Sequence, residues 1–444
     1  MDSIRAWLKK YSITEVECFV PDMAGIARGK IMPAAKYCME DSVHLPESVY
    51  LQTVTGEYPE DYSTINPAWI DMLLRPDPNT IRLVPWAGEP TAQIIHDGYH
   101  ADGRPVEISP RYALQRVLEC YEKSGWVPIV APELEFYLVK INADPDYPLE
   151  PPIGRTGRSE TVRQSYSIDA VNEFDPMFDD IYDYCEAQKL EIDTLIHEAG
   201  AAQMEINFRH GAPLDLADQV LFFKRTVRET AIRHKIYATF MAKPMENEPG
   251  SSMHIHHSIV DKKTQKNIFV DANGNDSERF FAFIAGLQKY LPAAMAFFTP
   301  YVNSYRRIAR HNSAPINVQW GYDNRTVGLR IPLSSSDARR VENRVAGADV
   351  NPYLAIAASL ACGYLGMKEK LEPTKPHEGD AYKLPFSLPR NLEAALQNLK
   401  ECDPLREILG ETFVSAFYAV KEQEYETFFK VIGSWEREYL LLNV

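Results

Sequence analysis

The chain has 444 residues, of which 45% are hydrophobic and 25% are charged, as in an ordinary globular protein. Its formal net charge of −15 argues against nonspecific binding to nucleic acid or to anionic membranes. The six cysteines are scattered without a CxxC pair, no apolar run has the length of a membrane span, and the N-terminus lacks the apolar stretch of a signal peptide, so we expect a cytoplasmic protein with reduced thiols.

The first 106 residues are predicted to form a small β-rich domain. Two runs rich in β-branched and apolar residues predict strands over Val16–Val20 and Ile26–Met32, with a turn at Pro21–Gly25 between them. A third short strand is predicted over Thr91–Ile95. We expect the domain boundary to follow this strand, between residues 106 and 107.

From residue 107 onward, strands are predicted to alternate with helices. Ser109 is a typical N-cap and Pro110 a typical first helical residue, which predicts a helix that stops near Ser124 and Gly125. The segment from Asn142 to Arg163 is rich in Pro, Gly and Arg, and its length indicates a mobile loop or lid. Further helices are predicted over Asp175–Lys189, Asp215–His234, Glu278–Phe298 and Pro352–Lys370.

The C-terminal segment Asn391–Val444 has the apolar spacing of amphipathic helices. A helical tail is therefore predicted. Two large aromatic residues in it, Trp435 and Tyr439, are expected to pack in the core.

Four short segments of this second part alternate polar with apolar residues. In a β-strand, residues two apart point to the same face, so each segment presents acids, histidines or arginines on one side. Burying such groups unpaired costs several kcal/mol. Together the strands predict a polar funnel that holds ions. The segments are Glu133–Glu135, Gln203–Glu205, Met253–Ser258 and Arg340–Arg344.

The acids and one histidine of these segments suit divalent metal ions. Mg²⁺ and Mn²⁺ prefer oxygen ligands with an occasional imidazole. Glu133 and Glu135 could simply be solvated on an edge strand, but the apolar residues around them favour an interior strand. Five carboxylates and one histidine would suit two ions bridged by phosphate oxygens. The candidate ligands are Glu133, Glu135, Glu198, Glu205, His254 and Glu342.

Arginines form the second group of candidate site residues. Arginine clamps spread the charge of a transferring phosphoryl group. For a single arginine, a surface salt bridge is the ordinary interpretation, and the alternation of Arg340, Glu342 and Arg344 is what favours a site. No GxxxxGKS loop and no GxGxxG after a strand is present, so neither a P-loop nor a Rossmann site is supported. The arginines are Arg306, Arg307, Arg325, Arg330, Arg340 and Arg344.

The motifs together resemble the glutamine synthetase superfamily, over essentially the whole chain. The resemblance implies an α+β fold with an N-terminal β-grasp domain (residues 1–106) and a catalytic domain (residues 107–444) that contains an antiparallel bifunnel sheet. It also implies a dodecamer of two stacked hexameric rings with sites between neighbouring subunits. The motifs are Pro132–Phe136, His197–Glu198, Gln203–Glu205, Lys243–Pro244, Gly250–His256, Asn303–Arg307, Asn324–Arg325, Arg330–Pro332, Arg340–Arg344 and Asn351–Leu354.

Roles for individual residues are also implied by the resemblance, with ATP and two Mg²⁺ or Mn²⁺ ions as cofactors. Arg307 and Arg325 are the basic residues expected to act in the reaction itself. One implied metal group is Glu135, Glu198 and Glu205, and the other is Glu133, His254 and Glu342. The implied glutamate contacts are Gly250, His254, Arg307 and Arg344. The implied contacts to ATP are His256, Ser258, Arg325, Arg330 and Arg340.

The ammonium end of the family's site is altered in this sequence. Ser313 stands where glutamine synthetases have the glutamate that binds ammonium and takes its proton. Pro46–Val49 aligns with the family's Asp-Gly-Ser-Ser segment and lacks its aspartate. With the phosphoryl-transfer residues intact, this pattern resembles the glutamate–polyamine ligases. We therefore predict ATP-dependent ligation of the glutamate γ-carboxylate to an amine, with a polyamine such as putrescine or spermidine expected.

A group that takes the proton from the amine is needed, because an alkylamine with a pKa of roughly 10.4 arrives protonated. Glu47 and His311 are the candidates, although each could be structural. Glu47, Glu57 and Glu60 could also pair with a second ammonium of a polyamine. Two alternatives remain: a glutamine synthetase that uses ammonia, disfavoured by Ser313, and an inactive relative, disfavoured by the complete ligand set.

Overall fold

A computed structural model of the chain describes residues 1–39, 43–59, 68, 70–310 and 313–444. The described residues have a mixed α+β architecture, as predicted. In the N-terminal part the strands are β1 (Glu15–Pro21), β2 (Ala27–Pro33), β3 (Val43–Pro46), β4 (Asp71–Pro76), β5 (Arg82–Leu83) and β6 (Thr91–Tyr99). They form a sheet in the order β2-β1-β6-β4-β3, with β5 beside β6.

The three strands predicted for this part are confirmed as β1, β2 and the first half of β6. Strands β1 and β2 are antiparallel, with Val16 opposite Met32. The turn between them is held by one Asp22 carboxylate oxygen, which accepts hydrogen bonds from the backbone N–H groups of Ala24 (2.9 Å) and Ile26 (2.8 Å).

The second sheet contains all four polar segments singled out above. Its strands are β7 (Trp126–Lys140), β8 (Ile192–His197), β9 (Gln203–Phe208), β10 (Ile236–Thr239), β11 (Met253–Asp261), β12 (Trp320–Tyr322), β13 (Leu329–Ile331) and β14 (Val341–Asn343). They pair in the order β12-β13-β14-β11-β7-β9-β8, with β10 beside β7. The four strands that carry the polar segments are therefore neighbours. The sheet is antiparallel as predicted, except that β12 and β13 are parallel.

Helices cover this sheet, and the most deeply buried of them is α10. The helices are α1 (Asp2–Lys10), α2 (Ala34–Met39), α3 (Pro110–Lys123), α4 (Ile168–Val171), α5 (Asp175–Gln188), α6 (Pro213–Arg233), α7 (Glu278–Tyr290), α8 (Met295–Phe298), α9 (Val302–Arg307), α10 (Pro352–Glu369), α11 (Leu392–Lys400), α12 (Asp403–Leu409), α13 (Glu411–Phe429) and α14 (Ser434–Tyr439). Helix α10 is apolar on nearly every side and packs against α3, α6 and α7. None of the described helices combines the length and apolarity needed to cross a membrane.

Most predicted helices are confirmed to within a few residues, but the single helix expected over Glu278–Phe298 is wrong. The chain instead forms α7 and α8, with Pro292 in the break between them. Proline has no N–H to donate and its ring clashes with the preceding turn, so the helix ends before it. Helix α3 begins as predicted, since the Ser109 hydroxyl accepts a hydrogen bond from the Tyr112 N–H at 3.4 Å.

The predicted helical tail is confirmed as α11 to α14, but the expected packing of its aromatic residues is wrong. Trp435 is 63% exposed and Tyr439 is 55% exposed. Both line an open cavity of about 1060 Å³ with Phe428 and Met241. The spacing of apolar residues predicts which face of a helix is apolar, but not whether another element of the same chain covers that face.

A buried arginine joins the N-terminal sheet to the helices of the second part. Arg111 is 1% exposed, and its guanidinium donates to Asp77 (2.6 Å), Asp97 (2.8 Å) and Asp218 (2.9 Å). Asp97 belongs to β6 and Asp218 to α6. Asp218 also accepts a hydrogen bond from the Tyr353 hydroxyl at 2.6 Å. The position of the first sheet on the helices therefore depends on this cluster.

We expect Arg111→Met to lower the free energy of unfolding by about 3–5 kcal/mol, because it leaves buried carboxylates without their counter-charge. The control is Arg104→Met. Arg104 also pairs with an aspartate (Asp102, 2.8 Å), but its side chain is 64% exposed, so only a small change in the free energy of unfolding is expected. Urea unfolding of the two variants measures both effects. Equal stabilities would contradict a joining role for Arg111.

Candidate active site

The register of the second sheet places polar residues opposite one another on one face. Glu133 of β7 lies opposite His254 of β11, and Glu135 lies opposite Glu205 of β9. On the other side of β11, Glu342 of β14 lies between two partners. It is opposite His256 of β11 and opposite Arg330 of β13. Directly opposed residues point to the same side of a sheet, so these side chains converge.

Glu133 is the carboxylate at the centre of this face. Its two oxygens lie 3.3 Å from His254 Nδ1 and 2.8 Å from His256 Nε2. Two groups of three side chains could each hold a metal ion, because the ligand-type atoms within each group lie within 4.8 Å of one another. Glu133 belongs to both groups. The groups are Glu133, His256 and Glu342, and Glu133, Glu205 and His254.

The structure thus differs from the grouping implied by the resemblance. His256, expected to contact ATP, lies within ligand distance of two acids. Glu135 and Glu198 stand outside both groups of the described residues. One oxygen of Glu135 accepts hydrogen bonds from the Ser252 N–H (2.8 Å) and the Gln203 amide (3.2 Å). The ligand roles predicted for Glu135 and Glu198 therefore stay predictions.

The electrostatics of the site favour a bound cation. Burial, and then the charge of neighbouring glutamates, raises the pKa of Glu135 and Glu205 well above the usual range. Burial is the largest single influence on Glu342 and opposes its ionisation, but the charges of Arg344, His256 and His254 together outweigh it and lower the pKa of Glu342 to about 2. Burial lowers the pKa of His254 to about 4, so the imidazole is neutral and able to act as a ligand. Its Nε2 is buried and has no hydrogen-bond partner.

Arginines line the Glu342 side of this face. Arg330 donates to Glu342 at 2.9 Å and to Asp323 at 2.7 Å, and Arg344 donates to Glu342 at 2.5 Å. The Nε atoms of Arg330 and Arg344 are buried without a partner. Arg340 donates from Nε to His256 Nδ1 at 3.3 Å. The unused Nε donors suit an anionic ligand with several oxygens, such as phosphate or carboxylate.

The other two predicted contacts to ATP are placed less centrally. Arg325 is exposed. Burial raises the pKa of Glu198, and the positive charge of Arg325 offsets only part of this effect. Ser258 lies two residues beyond His256 on the same side of β11, opposite Ile129.

Arg307 is buried and contacts the backbone segments that carry Ser252 and Arg344. Its guanidinium, 1% exposed, donates to the carbonyls of Val345 (2.7 Å) and Arg344 (3.0 Å) and to the Ser252 hydroxyl (2.8 Å). A Cβ at Gly250 would lie 2.6 Å from Arg307 Cγ, so only glycine fits beside it. Arg307 therefore holds together the backbone segments that carry Arg344 and Ser252.

Arg307→Lys is expected to reduce kcat/KM for glutamate by at least tenfold, equivalent to about 1.4 kcal/mol. Lysine keeps the charge but cannot bond several carbonyls and a hydroxyl from one planar group. The matched control is Arg306→Lys at the neighbouring exposed position, which should be near wild type. Steady-state kinetics with a thermal melt of each variant measures this. Wild-type kinetics in Arg307→Lys would show that the motif has another role.

The residues predicted for the amine end are not gathered with this cluster. Glu47 is buried in the N-terminal part, 3.9 Å from His100 Nδ1. Glu57 is exposed and accepts a hydrogen bond from Thr427 at 3.2 Å. Ser313 is exposed, with a left-handed φ of 60°. His311 and Glu60 lie outside the described residues.

Gln203 is a site residue whose role the sequence did not indicate. Its amide nitrogen lies within hydrogen-bond distance of Glu135, the Gly250 carbonyl (3.1 Å) and the Ser251 hydroxyl (3.2 Å). Its amide oxygen accepts from the Gly200 N–H at 2.9 Å. Gln203 thus connects β7, β9 and the start of β11. Its position two residues before Glu205 was the available signal, because the two share a face.

Comparison with known proteins gives consistent matches over the whole chain. Residues 107–440 match the family model described as glutamine synthetase, catalytic domain. The chain is 36% identical to gamma-glutamylputrescine synthetase PuuA of Escherichia coli strain K12, over 99% of this chain and 94% of that protein. It is 32% identical to a glutamate–isopropylamine ligase of Pseudomonas sp, over 98% of this chain and 96% of that protein. It is also 33% identical to the glutamine synthetase of Thermus thermophilus, over 90% of this chain and 92% of that protein.

A solved structure described as apo GmaS without ligand has the same fold. It superposes with a TM-score of 0.84 at 27% sequence identity, covering 100% of both chains. The arrangement of sheets and helices described above is therefore one found in an experimentally determined protein.

Proposed function

This chain belongs to the glutamine synthetase family, and we infer that it is an ATP-dependent ligase that joins the γ-carboxylate of glutamate to an amine. The observation that carries this inference is the convergence of acids, histidines and arginines on one face of the sheet around Glu133. Such a face suits a phosphorylated substrate held together with divalent cations.

The residues present fit a divalent metal centre. The buried His254 Nε2 has no hydrogen-bond partner among the described residues. Glu205, which is grouped with His254 and Glu133, has a pKa raised by burial and then by the charges of neighbouring glutamates, so a cation there would favour its ionised form. When bound, Mg²⁺ or Mn²⁺ neutralises charge on a reacting phosphoryl group. We propose that two ions are held, and that the ligands come from the predicted set. These residues are Glu133, Glu135, Glu198, Glu205, His254 and Glu342.

The proposed reaction has two steps. A γ-carboxylate oxygen of glutamate attacks the terminal phosphorus of ATP, and ADP leaves. A neutral amine nitrogen then attacks the acyl carbon, and phosphate leaves with the electron pair of the broken bond. Arg330, Arg340 and Arg344 border the face where this charge develops, and positively charged donors placed in advance stabilise it without reorganisation. The residues proposed to contact ATP are His256, Ser258, Arg325, Arg330 and Arg340. Those proposed to contact glutamate are Gly250, His254, Arg307 and Arg344.

A polyamine such as putrescine or spermidine is the proposed second substrate. Ser313 offers no charge to hold ammonium, and two relatives of the chain carry names that specify putrescine and isopropylamine. Glu47 and His311 remain the proposed bases. Glu47 follows strand β3 in the N-terminal part, and we propose that it reaches the site of a neighbouring subunit.

The proposal therefore includes assembly. A double-ring dodecamer with an N-terminal β-grasp domain (1–106) and a bifunnel catalytic domain (107–444) would form sites between subunits, as the family resemblance implies. A cytoplasmic location completes the proposal and is supported by the scattered positions of the six cysteines, which form no CxxC pair.

The direct test is phosphate release by the full-length protein with glutamate, ATP and a panel of amines that includes ammonium. We expect turnover only with Mg²⁺ or Mn²⁺ present. Full activity in enzyme treated with a chelator would contradict the metal proposal, and no turnover with any amine would favour an inactive relative.

A further inference from the structure

One acid outside the predicted site connects a long segment to the hairpin that precedes β9. The segment between β7 and α4 (residues 141–167) contains Glu160, whose side chain is only 8% exposed. One Glu160 oxygen accepts a hydrogen bond from the Ala202 N–H (2.8 Å) and lies 3.0 Å from His197 Nε2. His197 ends β8 and Ala202 precedes β9. A single carboxylate therefore touches both arms of the hairpin.

The hairpin has a backbone that needs such support. Ala202 has a φ of +57°, in the left-handed region. For a residue with a Cβ this costs roughly 1–2 kcal/mol, and it persists where surrounding contacts determine it. Glu160 binds the N–H of this residue. The hairpin is also closed by hydrogen bonds from the Glu198 N–H to the Gln203 carbonyl (2.8 Å) and from the Gln203 N–H to the Gly200 carbonyl (3.0 Å).

The same hairpin leads directly to residues of the proposed metal site. Glu198 is its first residue, and His197 Nδ1 lies 2.7 Å from the Glu198 carbonyl oxygen. Gln203 follows Ala202 and donates to Glu135, and Glu205 comes two residues later. A shift of the hairpin would therefore move Glu198 and displace the amide that orients Glu135.

We propose that Glu160 is a positioning residue for the metal site, which holds the hairpin in the shape that presents Glu198 and Gln203. The inference rests on the proposed function, because it requires that these residues border a metal. The proposed contact also couples the 141–167 segment to the metal site. If the 141–167 segment favours metal binding, then bound metal must stabilise the docked segment by the same free energy.

The test uses Mn²⁺ alone as the probe and the full-length protein, with affinity measured by isothermal titration calorimetry. Glu160→Gln keeps the size of the side chain and removes its charge. We expect at least tenfold weaker Mn²⁺ binding, since residues that orient ligands typically contribute about 10–100-fold. The control is Glu150→Gln in the same segment. Glu150 is 64% exposed and pairs with Lys140 at 2.7 Å, so its loss should leave Mn²⁺ affinity unchanged.

The second measurement is limited digestion with trypsin, which can cut at the exposed Arg155 and Arg158. Mn²⁺ should slow cleavage in the wild type and in Glu150→Gln, but not in Glu160→Gln. His197→Gln removes the same contact from the other side. The double variant should bind Mn²⁺ about as weakly as Glu160→Gln alone, because the contact between Glu160 and His197 is already weakened in that variant.

The possible outcomes distinguish the proposed metal-dependent function from the positioning role of Glu160. A wild type that fails to bind Mn²⁺ would overturn the proposed metal-dependent function. A wild type that binds Mn²⁺, with equal affinity and equal protection in Glu160→Gln, would overturn the positioning role alone. Should Glu160→Gln fail to fold, a wild type that binds Mn²⁺ but is cut at Arg155 and Arg158 equally fast with and without Mn²⁺ would overturn it instead.

Discussion

Glu133→Ala is expected to lower kcat by at least about a thousandfold, equivalent to about 4 kcal/mol of activation free energy. Glu133 is the one carboxylate shared by both groups of ligand-type atoms, and it also contacts His254 and His256. Its removal takes a negative charge from the centre of the cluster and leaves two imidazoles without their partner. No other single substitution on this face should cost as much.

The measurement is phosphate release with glutamate, ATP and the best amine, at saturating Mg²⁺ and again at saturating Mn²⁺. Glu122→Ala is the control, because Glu122 only pairs with Lys262 on the surface, where its side chain is 68% exposed. Calorimetry with Mn²⁺ should show weakened binding in Glu133→Ala alone. Retention of more than a tenth of wild-type kcat would contradict a central role for Glu133.

Amine selectivity should be the second large effect. With putrescine or spermidine we expect turnover at least tenfold faster than with ammonium at equal concentration. Ser313 provides neither the charge nor the proton acceptor that ammonium needs. A longer amine gains binding energy from the rest of its chain, and that energy can position the reacting nitrogen.

Mass spectrometry of the product decides this prediction, because a γ-glutamyl amide and glutamine differ in mass by the rest of the amine. Ser313→Glu is the matching variant, since it restores the acid in an exposed position where the larger side chain has room. It should raise turnover with ammonium relative to putrescine. Glutamine as the main product of the wild type would show instead a glutamine synthetase with an altered pocket.

The local sequence pattern was sufficient to predict many of the strands and helices. Glu133 and Glu135, and likewise His254 and His256, stand two residues apart with an apolar residue between them. This spacing correctly predicted strands with one polar face, because successive side chains of a strand point to opposite faces. The Ser109 cap and the break at Gly125 bounded α3 for the same reason. Where a local signal was overlooked, as at Pro292, the prediction was wrong even though the information was present.

Interactions between distant residues were decided only by the tertiary structure. The pairing of His256 with Glu342, which lie 86 positions apart, depends on strand register, and a shift of one residue would turn one of the two side chains to the other face. The sequence therefore determined the family, the strands and the chemistry available on them. The tertiary structure decided that Glu133 is shared by two groups, that Arg307 bonds to carbonyls, that Trp435 is exposed and that Glu160 reaches the hairpin. Each of these depends on which surfaces the folded chain brings together, and no local periodicity encodes that.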